Sequence, residues 1–217
     1  MHIDKDSYGT IAVVSGISIA VAAGLFLIFG ATPVVWVLAS LLLVFIVFVT
    51  LFHRVPVRHT VGGESTVCAV ADGKIVIIEK AYEKEFLKRD CIQVSIYMNF
   101  FDVHANFWPM DGEISYYKYH PGNYFLAFHP KASEKNEHSS TVIKGTKGEI
   151  LFKQIAGTFA RRIVCYSKEG MTVKAGDQCG IIKFGSRIDM FFPLDADIKV
   201  KIGDNVRASE SVIAELH

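Results

Sequence analysis

The segment CGIIKFGSRIDM, residues 179–190, joins two short apolar runs through a Gly-Ser pair. Short runs of apolar and β-branched residues are typical of strands, and a Gly-Ser pair is typical of a turn or bulge between them. The same texture continues from Val61 to the end of the chain, with Gly, Asp or Asn between the runs. The sequence therefore predicts a β-rich domain without a long amphipathic helix.

Two segments of this domain resemble each other at a turn. Residues 169–182 and residues 198–208 each contain Val-Lys-x-Gly-Asp ahead of a further apolar run. Such turns look like those of biotinyl and lipoyl carriers and of related barrel-sandwich modules. We therefore expect a mainly β fold, a compact antiparallel domain of that general kind.

The N-terminal part is far more apolar than the rest. Residues 11–30 and residues 34–52 contain no charged side chain, and each run is about as long as the ~20 residues that span a bilayer. The Gly-Ala-Thr-Pro sequence at residues 30–33 suits a tight turn. We predict a transmembrane helical hairpin in a first domain, residues 1–58, followed by a β-rich domain, residues 59–217. A tilted or re-entrant element that does not cross the bilayer fully is the alternative.

Positive charge follows the second apolar run, at His53, Arg54 and Arg58. Positive residues next to a membrane segment favour the cytoplasmic side. We therefore expect a protein of the cell membrane whose β domain lies on the cytoplasmic side, with the N-terminus on the same side.

Composition excludes two kinds of function. The 23 Lys and Arg residues nearly balance the 22 Asp and Glu residues, for a formal net charge of +1, so the chain lacks the basic excess of a nucleic-acid-binding protein. The four cysteines form no CxxC pair and have no histidine at metal-ligand spacing, so no metal site is expected. They are Cys68, Cys91, Cys165 and Cys179.

Three residues of the types that activate a hydroxyl nucleophile are present: Asp72, His104 and Ser186. Each one has a plainer structural explanation when taken alone. Asp72 fits a hairpin turn, His104 lies in an apolar stretch where a core histidine is common, and Gly185 with Ser186 fits a turn. Only their combination favours a catalytic function.

An aromatic group surrounds His104 in the sequence. Phe100, Phe101, Phe107 and Trp108 could contact a bilayer, but we expect at least two of them to pack in the core.

Five segments, taken in order, resemble the phosphatidylserine decarboxylase family in its short bacterial and archaeal-type branch. The first resembles the family's P-A-D-G motif, the second its D-V-H-x-N motif, and the last falls where the family cuts itself. The segments are VADGKI at residues 70–75, NFFDVHAN at 99–106, KASEKNE at 131–137, QIAGTFARRIV at 154–164 and FGS at 184–186. The resemblance covers the chain from about Arg54 to its end. It departs from the family at Val70, where Pro is usual, and at Phe107, where longer relatives have a second histidine.

The resemblance implies a pyruvoyl-dependent enzyme that cuts itself between Gly185 and Ser186. The Ser186 hydroxyl would attack the Gly185 carbonyl, with His104 as the base and Asp72 orienting it. Ser186 would become the pyruvoyl cofactor at the start of a small chain, residues 186–217, beside a large chain, residues 1–185. The cofactor would take up the electrons left when carbon dioxide leaves phosphatidylserine. His104 would return a proton, and phosphatidylethanolamine would form.

The resemblance also implies a phospholipid substrate at a membrane, and it leaves a homodimer open. Arg161 and Arg162 are candidate substrate-binding residues, because guanidinium groups suit a lipid phosphate. A solvated strand face explains them equally well. Asn136 is a third candidate, because it lies in a polar segment that matches the family.

Two other functions remain open on the sequence alone. A membrane-anchored biotinyl- or lipoyl-like carrier or adaptor would need a modifiable lysine at a hairpin tip, and Lys74 is the candidate; it would give no role to His104 or Ser186. A relative that keeps the fold without processing is compatible with Val70 and Phe107. Ester-linked and ether-linked lipid tails are equally compatible with the sequence.

Overall fold

The computed structural model describes residues 1–123, 136–157, 163–182 and 186–217. The chain divides into two units, Met1–Pro56 and Val57–His217.

Two apolar helices make up most of the N-terminal unit. Helix α1 spans Tyr8–Phe29 and helix α2 spans Pro33–Phe52. Gly30 ends α1 with a φ of +67°, a conformation that glycine adopts without strain. Thr32 caps α2, because its hydroxyl oxygen accepts a hydrogen bond from the Val35 N–H at 3.4 Å, and a proline follows at the first helical position.

Contacts hold the two helices together at both ends of the unit. The short strands β1 (His2–Ile3) and β2 (Arg54–Val55) pair with each other, and Phe26 packs edge-on against Trp36 with ring centroids 5.0 Å apart. Both helices are long and apolar enough to cross a membrane. The prediction of two apolar helices is confirmed, and they suggest membrane association.

The second unit is built from fourteen further strands in the part of the chain that the structure describes. They are β3 (Thr66–Cys68), β4 (Gly73–Glu83), β5 (Arg89–Met98), β6 (Ala105–Phe107), β7 (Gly112–His120), β8 (His138–Gly145), β9 (Gly148–Ala156), β10 (Ile163–Cys165), β11 (Thr172–Val173), β12 (Gln178–Ile182), β13 (Ser186–Phe192), β14 (Asp197–Ile198), β15 (Asn205–Val206) and β16 (Val212–Glu215).

Eight of these strands form one antiparallel sheet in the order β11-β7-β8-β9-β13-β5-β4-β15. Two three-stranded sheets accompany it, β10-β12-β6 and β14-β16-β3. The prediction of a mainly β, antiparallel fold is confirmed. Strand β13 lies in the middle of the main sheet, hydrogen-bonded to β9 on one side and to β5 on the other.

The side chains of β13 alternate between two apolar clusters, as the period of a strand requires. Ile188, Met190 and Phe192 belong to the main core, which also contains Trp108. Phe191 belongs to a smaller cluster on the opposite face. The main sheet is therefore covered on both faces at its centre, which explains why all seven residues of β13 are buried.

The two Val-Lys-x-Gly-Asp segments form turns of the same kind. The Asp177 N–H donates to the Lys174 carbonyl at 3.2 Å, and the Asp204 N–H donates to the Lys201 carbonyl at 3.1 Å. The glycine in each turn has a positive φ, +86° in the first and +100° in the second. The repeated motif therefore marks the chain reversals that the sequence predicted.

Several strands of the main sheet start or finish at one end of it. Ser186, the first residue of β13, pairs with Met98, the last residue of β5, and with Ala156, the last residue of β9. His138, the first residue of β8, pairs with His120, the last of β7. We call this the Ser186 end of the main sheet.

Candidate active site

Ser186 is completely buried at the start of the central strand β13. Its hydroxyl donates a hydrogen bond to the Met98 sulfur at 3.7 Å. Sulfur is a weak acceptor, so this contact holds the hydroxyl loosely while the strand pairing on both sides fixes the backbone. Gly185, the residue on the other side of the expected cut, lies outside the described residues.

His104 is also completely buried, in the connection between β5 and β6. Its Nδ1 lies 3.0 Å from the Asp102 carbonyl oxygen. A carbonyl only accepts, so Nδ1 carries a proton. In the neutral ring the lone pair is then on Nε2, the form needed in a general base. The His104 carbonyl accepts a hydrogen bond from the Ile182 N–H at 3.2 Å. His104 therefore lies beside β12, the strand that leads into the expected cleavage segment.

Asp72 binds different partners from those that the sequence suggested. Nη2 of Arg58 lies 2.7 Å from one carboxylate oxygen and 2.5 Å from the other, and the Ala208 N–H donates to the carboxylate at 2.8 Å. The Arg58 side chain is only 2% exposed. Within the described part of the chain, the Asp102 carbonyl and not the Asp72 carboxylate orients the His104 ring.

Asp72 nevertheless lies close to the Ser186 end of the main sheet. Gly73, which follows it, begins β4, and a Cβ built on Gly73 would lie 2.3 Å from the Tyr97 carbonyl oxygen of β5. Because only β5 separates β4 from β13, two strand spacings of ~4.8 Å place the start of β4 roughly 10 Å from Ser186.

A chain of buried polar side chains leads to the same place. The Ser139 hydroxyl donates to Gln154 at 2.9 Å, and the Gln154 amide donates to the Asn106 oxygen at 2.8 Å. The Asn106 amide then points to the Met98 sulfur at 3.9 Å, the atom that Ser186 also contacts. These hydrogen bonds fix the Asn106 amide as a donor near Ser186.

Sequence reasoning missed Gln154 and Ser139 as members of this chain. Asn106 stands in the D-V-H-x-N-like segment, and its position there was the available signal. Polar residues at core-facing positions of β8 and β9 would have been a second signal, but only once the strand register was known.

Asn136 approaches Ser186 through strand β9, whereas Asn106 approaches it through Met98 of β5. Its side-chain amide donates to the Ala156 carbonyl at 2.7 Å, and Ala156 is the direct strand partner of Ser186. The Ala156 N–H donates to the Glu137 carbonyl at 2.9 Å. The predicted substrate-binding residue Asn136 is therefore one strand away from Ser186. Arg161 and Arg162 lie outside the described residues.

Metal-binding side chains meet at one place among the described residues. Ligand atoms of Glu85, His120 and His138 lie within 4.8 Å of one another. The two imidazole rings are stacked, with centroids 4.4 Å apart and planes 14° from parallel, so their nitrogen lone pairs do not converge on one point. Lys153 also lies 3.2 Å from Glu85, where its charge opposes a cation. We interpret this group as a hydrogen-bonded network.

The pKa values within this network have clear causes. Burial by itself would raise the pKa of Glu85, but hydrogen bonds from Ser140 and His120 and the charge of Lys153 outweigh burial and lower it to about 2. Burial lowers the pKa of His138, and the neighbouring charges of His120 and Lys153 act in the same direction. Glu85 is therefore a carboxylate and His138 a neutral imidazole near neutral pH.

Known proteins resemble this chain over most of its length. A family model described as phosphatidylserine decarboxylase matches residues 45–214. A protein of Amoebophilus asiaticus named phosphatidylserine decarboxylase proenzyme is 49% identical over 166 residues, which are 76% of this chain and 74% of that protein. Proteins with the same name are 43% identical in Cytophaga hutchinsonii, over 83% of this chain and 82% of the relative, and 39% identical in Porphyromonas gingivalis, over 100% and 99%.

Proposed function

This chain belongs to the phosphatidylserine decarboxylase family, and we propose that Ser186 is the residue at which its proenzyme cuts itself. The chain decarboxylates phosphatidylserine and is made as a proenzyme that processes itself. One observation carries the assignment of Ser186. It is a buried hydroxyl on the first residue of a central strand, and it contacts the same Met98 sulfur as the Asn106 amide.

The proposed cut is an acyl shift followed by an elimination. The Ser186 hydroxyl oxygen adds to the Gly185 carbonyl carbon, and the bond from that carbon to the Ser186 nitrogen breaks, which leaves an ester. Loss of the Ser186 Cα proton then expels the Gly185 carboxylate. Water replaces the nitrogen of the remaining enamine, and ammonia leaves.

His104 is the proposed base for the first step. Its Nδ1–H is held by the Asp102 carbonyl, so the Nε2 lone pair is the one that takes the Ser186 proton. The Asn106 amide, fixed by Gln154, is a donor that stabilises negative charge developing near Ser186. Asp72 positions the start of β4 near Ser186, because its carboxylate is bound by Arg58 and by the Ala208 N–H.

A pyruvoyl group fits the position of Ser186. Its ketone oxygen replaces the amide nitrogen and its methyl group replaces the hydroxymethyl side chain, so the group needs no more room than the buried serine. The Met98 sulfur, which contacts the hydroxyl, tolerates a methyl group equally well. The ketone supplies an electron sink for the carbon that loses carbon dioxide. His104 returns a proton to that carbon, and Asn136, which is bonded to the Ala156 carbonyl of the neighbouring strand β9, lines the approach.

The two chains are proposed to stay together after the cut. Strand β13 is hydrogen-bonded to β5 and β9, β15 pairs with β4, and β16 pairs with β3. Each of these three strands of the small chain is hydrogen-bonded to strands of the large chain. Breaking one peptide bond therefore leaves the sheets intact.

We further propose a place in the cell. The two apolar helices anchor the protein in the cell membrane, with the catalytic unit on the cytoplasmic side, where Arg54 and Arg58 follow the second helix. The lipid headgroup phosphate is the proposed ligand of Arg161 and Arg162.

The carrier alternative has less support. Lys74 lies inside strand β4, paired with Tyr97 on one side and with Asn205 on the other. A lysine that a ligase modifies belongs at an accessible hairpin tip, and Lys74 does not occupy one.

The test is release of carbon dioxide from labelled phosphatidylserine in vesicles. We expect activity in the wild type and in Ser115→Ala, a matched change at an exposed strand serine, and loss of activity in Ser186→Ala. An active Ser186→Ala protein would overturn the assignment of Ser186.

A further inference from the structure

An exposed aromatic turn adjoins the proposed active site. Phe101 is 79% exposed and Phe100 is 38% exposed, whereas Phe107 and Trp108 are each only 2% exposed. The expectation that at least two of these four aromatic residues pack in the core is therefore confirmed. The other two form a small apolar surface on the catalytic unit, and exposed aromatic side chains of this kind are a common feature of contact surfaces.

The backbone of this turn is held in place by its own polar residues. The Asp102 carboxylate accepts a hydrogen bond from the Asn99 N–H at 2.8 Å, and the Asn99 side-chain oxygen accepts one from the Phe101 N–H at 2.8 Å. The Asp102 N–H donates to the Asn99 carbonyl at 3.2 Å. A turn fixed in this way presents its two phenyl rings at little further cost in conformational entropy.

The turn lies next to the catalytic residues on both sides in sequence. It follows Met98, which contacts the Ser186 hydroxyl, and it precedes His104. It therefore projects from the Ser186 end of the main sheet, the end that a substrate must reach.

The connection to the membrane helices reaches the same end. Arg58 follows Phe52, the last residue of α2, by six residues, and six residues span at most ~20 Å. Arg58 is in turn bonded to Asp72, just ahead of β4 at the Ser186 end of the main sheet. The linker that follows α2 is therefore short, and its Arg58 is bound at the Ser186 end of the main sheet.

We propose that Phe100 and Phe101 insert into the phospholipid bilayer and bring the active site to the headgroups of its substrate. The bilayer, and not a protein, is the chosen occupant because the substrate is a bilayer lipid and because only a short linker joins the catalytic unit to the apolar helices. Aromatic rings sit favourably at the boundary between headgroups and acyl chains, and Asn99 and Asp102 remain at headgroup level. The inference rests on the proposed function for the place of the active site and for its kinetic test, whereas insertion of the two rings is tested independently of activity.

The direct test places an environment-sensitive fluorophore at the turn. Phe101→Cys is labelled with a nitrobenzoxadiazole dye in the full-length protein, reconstituted in phosphatidylcholine and phosphatidylserine vesicles. Tyr82→Cys is the matched control, because Tyr82 is also aromatic and 59% exposed but lies at the opposite end of β4, where it pairs with Asp90. The unsubstituted protein gives the blank for its own cysteines.

We expect the dye at position 101 to emit at shorter wavelength than the dye at position 82 and to be quenched several-fold more by nitroxide-labelled lipid. Equal emission and equal quenching at the two positions would overturn the proposal, whether or not the protein decarboxylates anything.

A kinetic test separates bilayer contact from substrate chemistry. We expect Phe101→Ser to raise KM for phosphatidylserine in vesicles at least 10-fold relative to its effect on a short-chain, monomeric phosphatidylserine in water. Tyr82→Ser should leave the ratio of the two KM values unchanged. An equal loss of activity on both substrates in Phe101→Ser would show a role in the fold or in the chemistry and would contradict the proposal.

Discussion

Removal of the Arg58 side chain tests how the start of β4 is held in place. Arg58 is 2% exposed, its partner Asp72 is 14% exposed, and the shortest contact between them is 2.5 Å. Loss of one partner from a buried pair costs about 3–5 kcal/mol, because the other charge stays buried without compensation. Asp72 keeps some exposure and keeps the Ala208 N–H, so we expect about 3 kcal/mol for Arg58→Ala.

The assay is thermal unfolding of the full-length protein in detergent, followed through the catalytic unit. For a unit of this size, about 3 kcal/mol corresponds to a fall in Tm of roughly 6–12 °C. Arg207→Ala is the matched control, because Arg207 is 69% exposed and bonds Glu210 at 3.2 Å, a residue that Arg58 also approaches at 3.4 Å. An exposed pair of that kind contributes about 0–1 kcal/mol.

A double-mutant cycle gives the coupling between the two residues. If the buried pair is the cause, Arg58→Ala with Asp72→Ala together should cost about 2 kcal/mol less than the sum of the single changes. The reasoning is refuted by additive effects, or by an Arg58→Ala protein as stable as Arg207→Ala. Self-cleavage should be slowed more by Arg58→Ala than by Arg58→Lys, which keeps a charge at the same place.

Three further predictions concern the site and its supports. His104→Gln should leave the precursor uncut while its Tm stays within a few degrees of the wild type, because the base is lost and the shape is kept; a cut His104→Gln chain would exclude His104 as the base. Gln154→Leu should slow self-cleavage and cost about 1–3 kcal/mol, since Asn106 loses its buried donor; an unchanged cleavage rate on gels would show that this amide is not used. Gly73→Ala should destabilise far more than Gly203→Ala in denaturant titrations, because its new Cβ would meet a strand carbonyl at 2.3 Å while nothing lies within 4 Å of the other; equal costs would mean that the start of β4 can shift.

Features encoded by neighbouring residues could be predicted from the sequence. The two uncharged runs and the residues 30–33 between them predict two apolar helices, since length and composition suffice for that conclusion. The turns at Gly176 and Gly203 follow from one repeated motif. Short apolar runs predicted the β class for the same reason.

Features that depend on pairing between distant segments could not be predicted. Arg58 and Asp72 are fourteen residues apart, and Asn106 and Gln154 are forty-eight apart. Neither pairing is visible without the strand register, because a shift of one residue turns every side chain of a strand to the other face. The sequence analysis expected Asp72 to orient His104, from the residue types and from the resemblance to the family. The structure shows instead that a nearby guanidinium and a backbone N–H bind this carboxylate.

The most direct measurement is the intact mass of the purified protein, with and without Ser186→Ala. The account predicts two polypeptides whose masses match residues 1–185 and residues 186–217, the smaller one with a blocked N-terminus that reacts as a ketone, and a single uncut polypeptide in Ser186→Ala. A wild-type protein that stays at the full mass of 217 residues, or one cut at another bond, would contradict it.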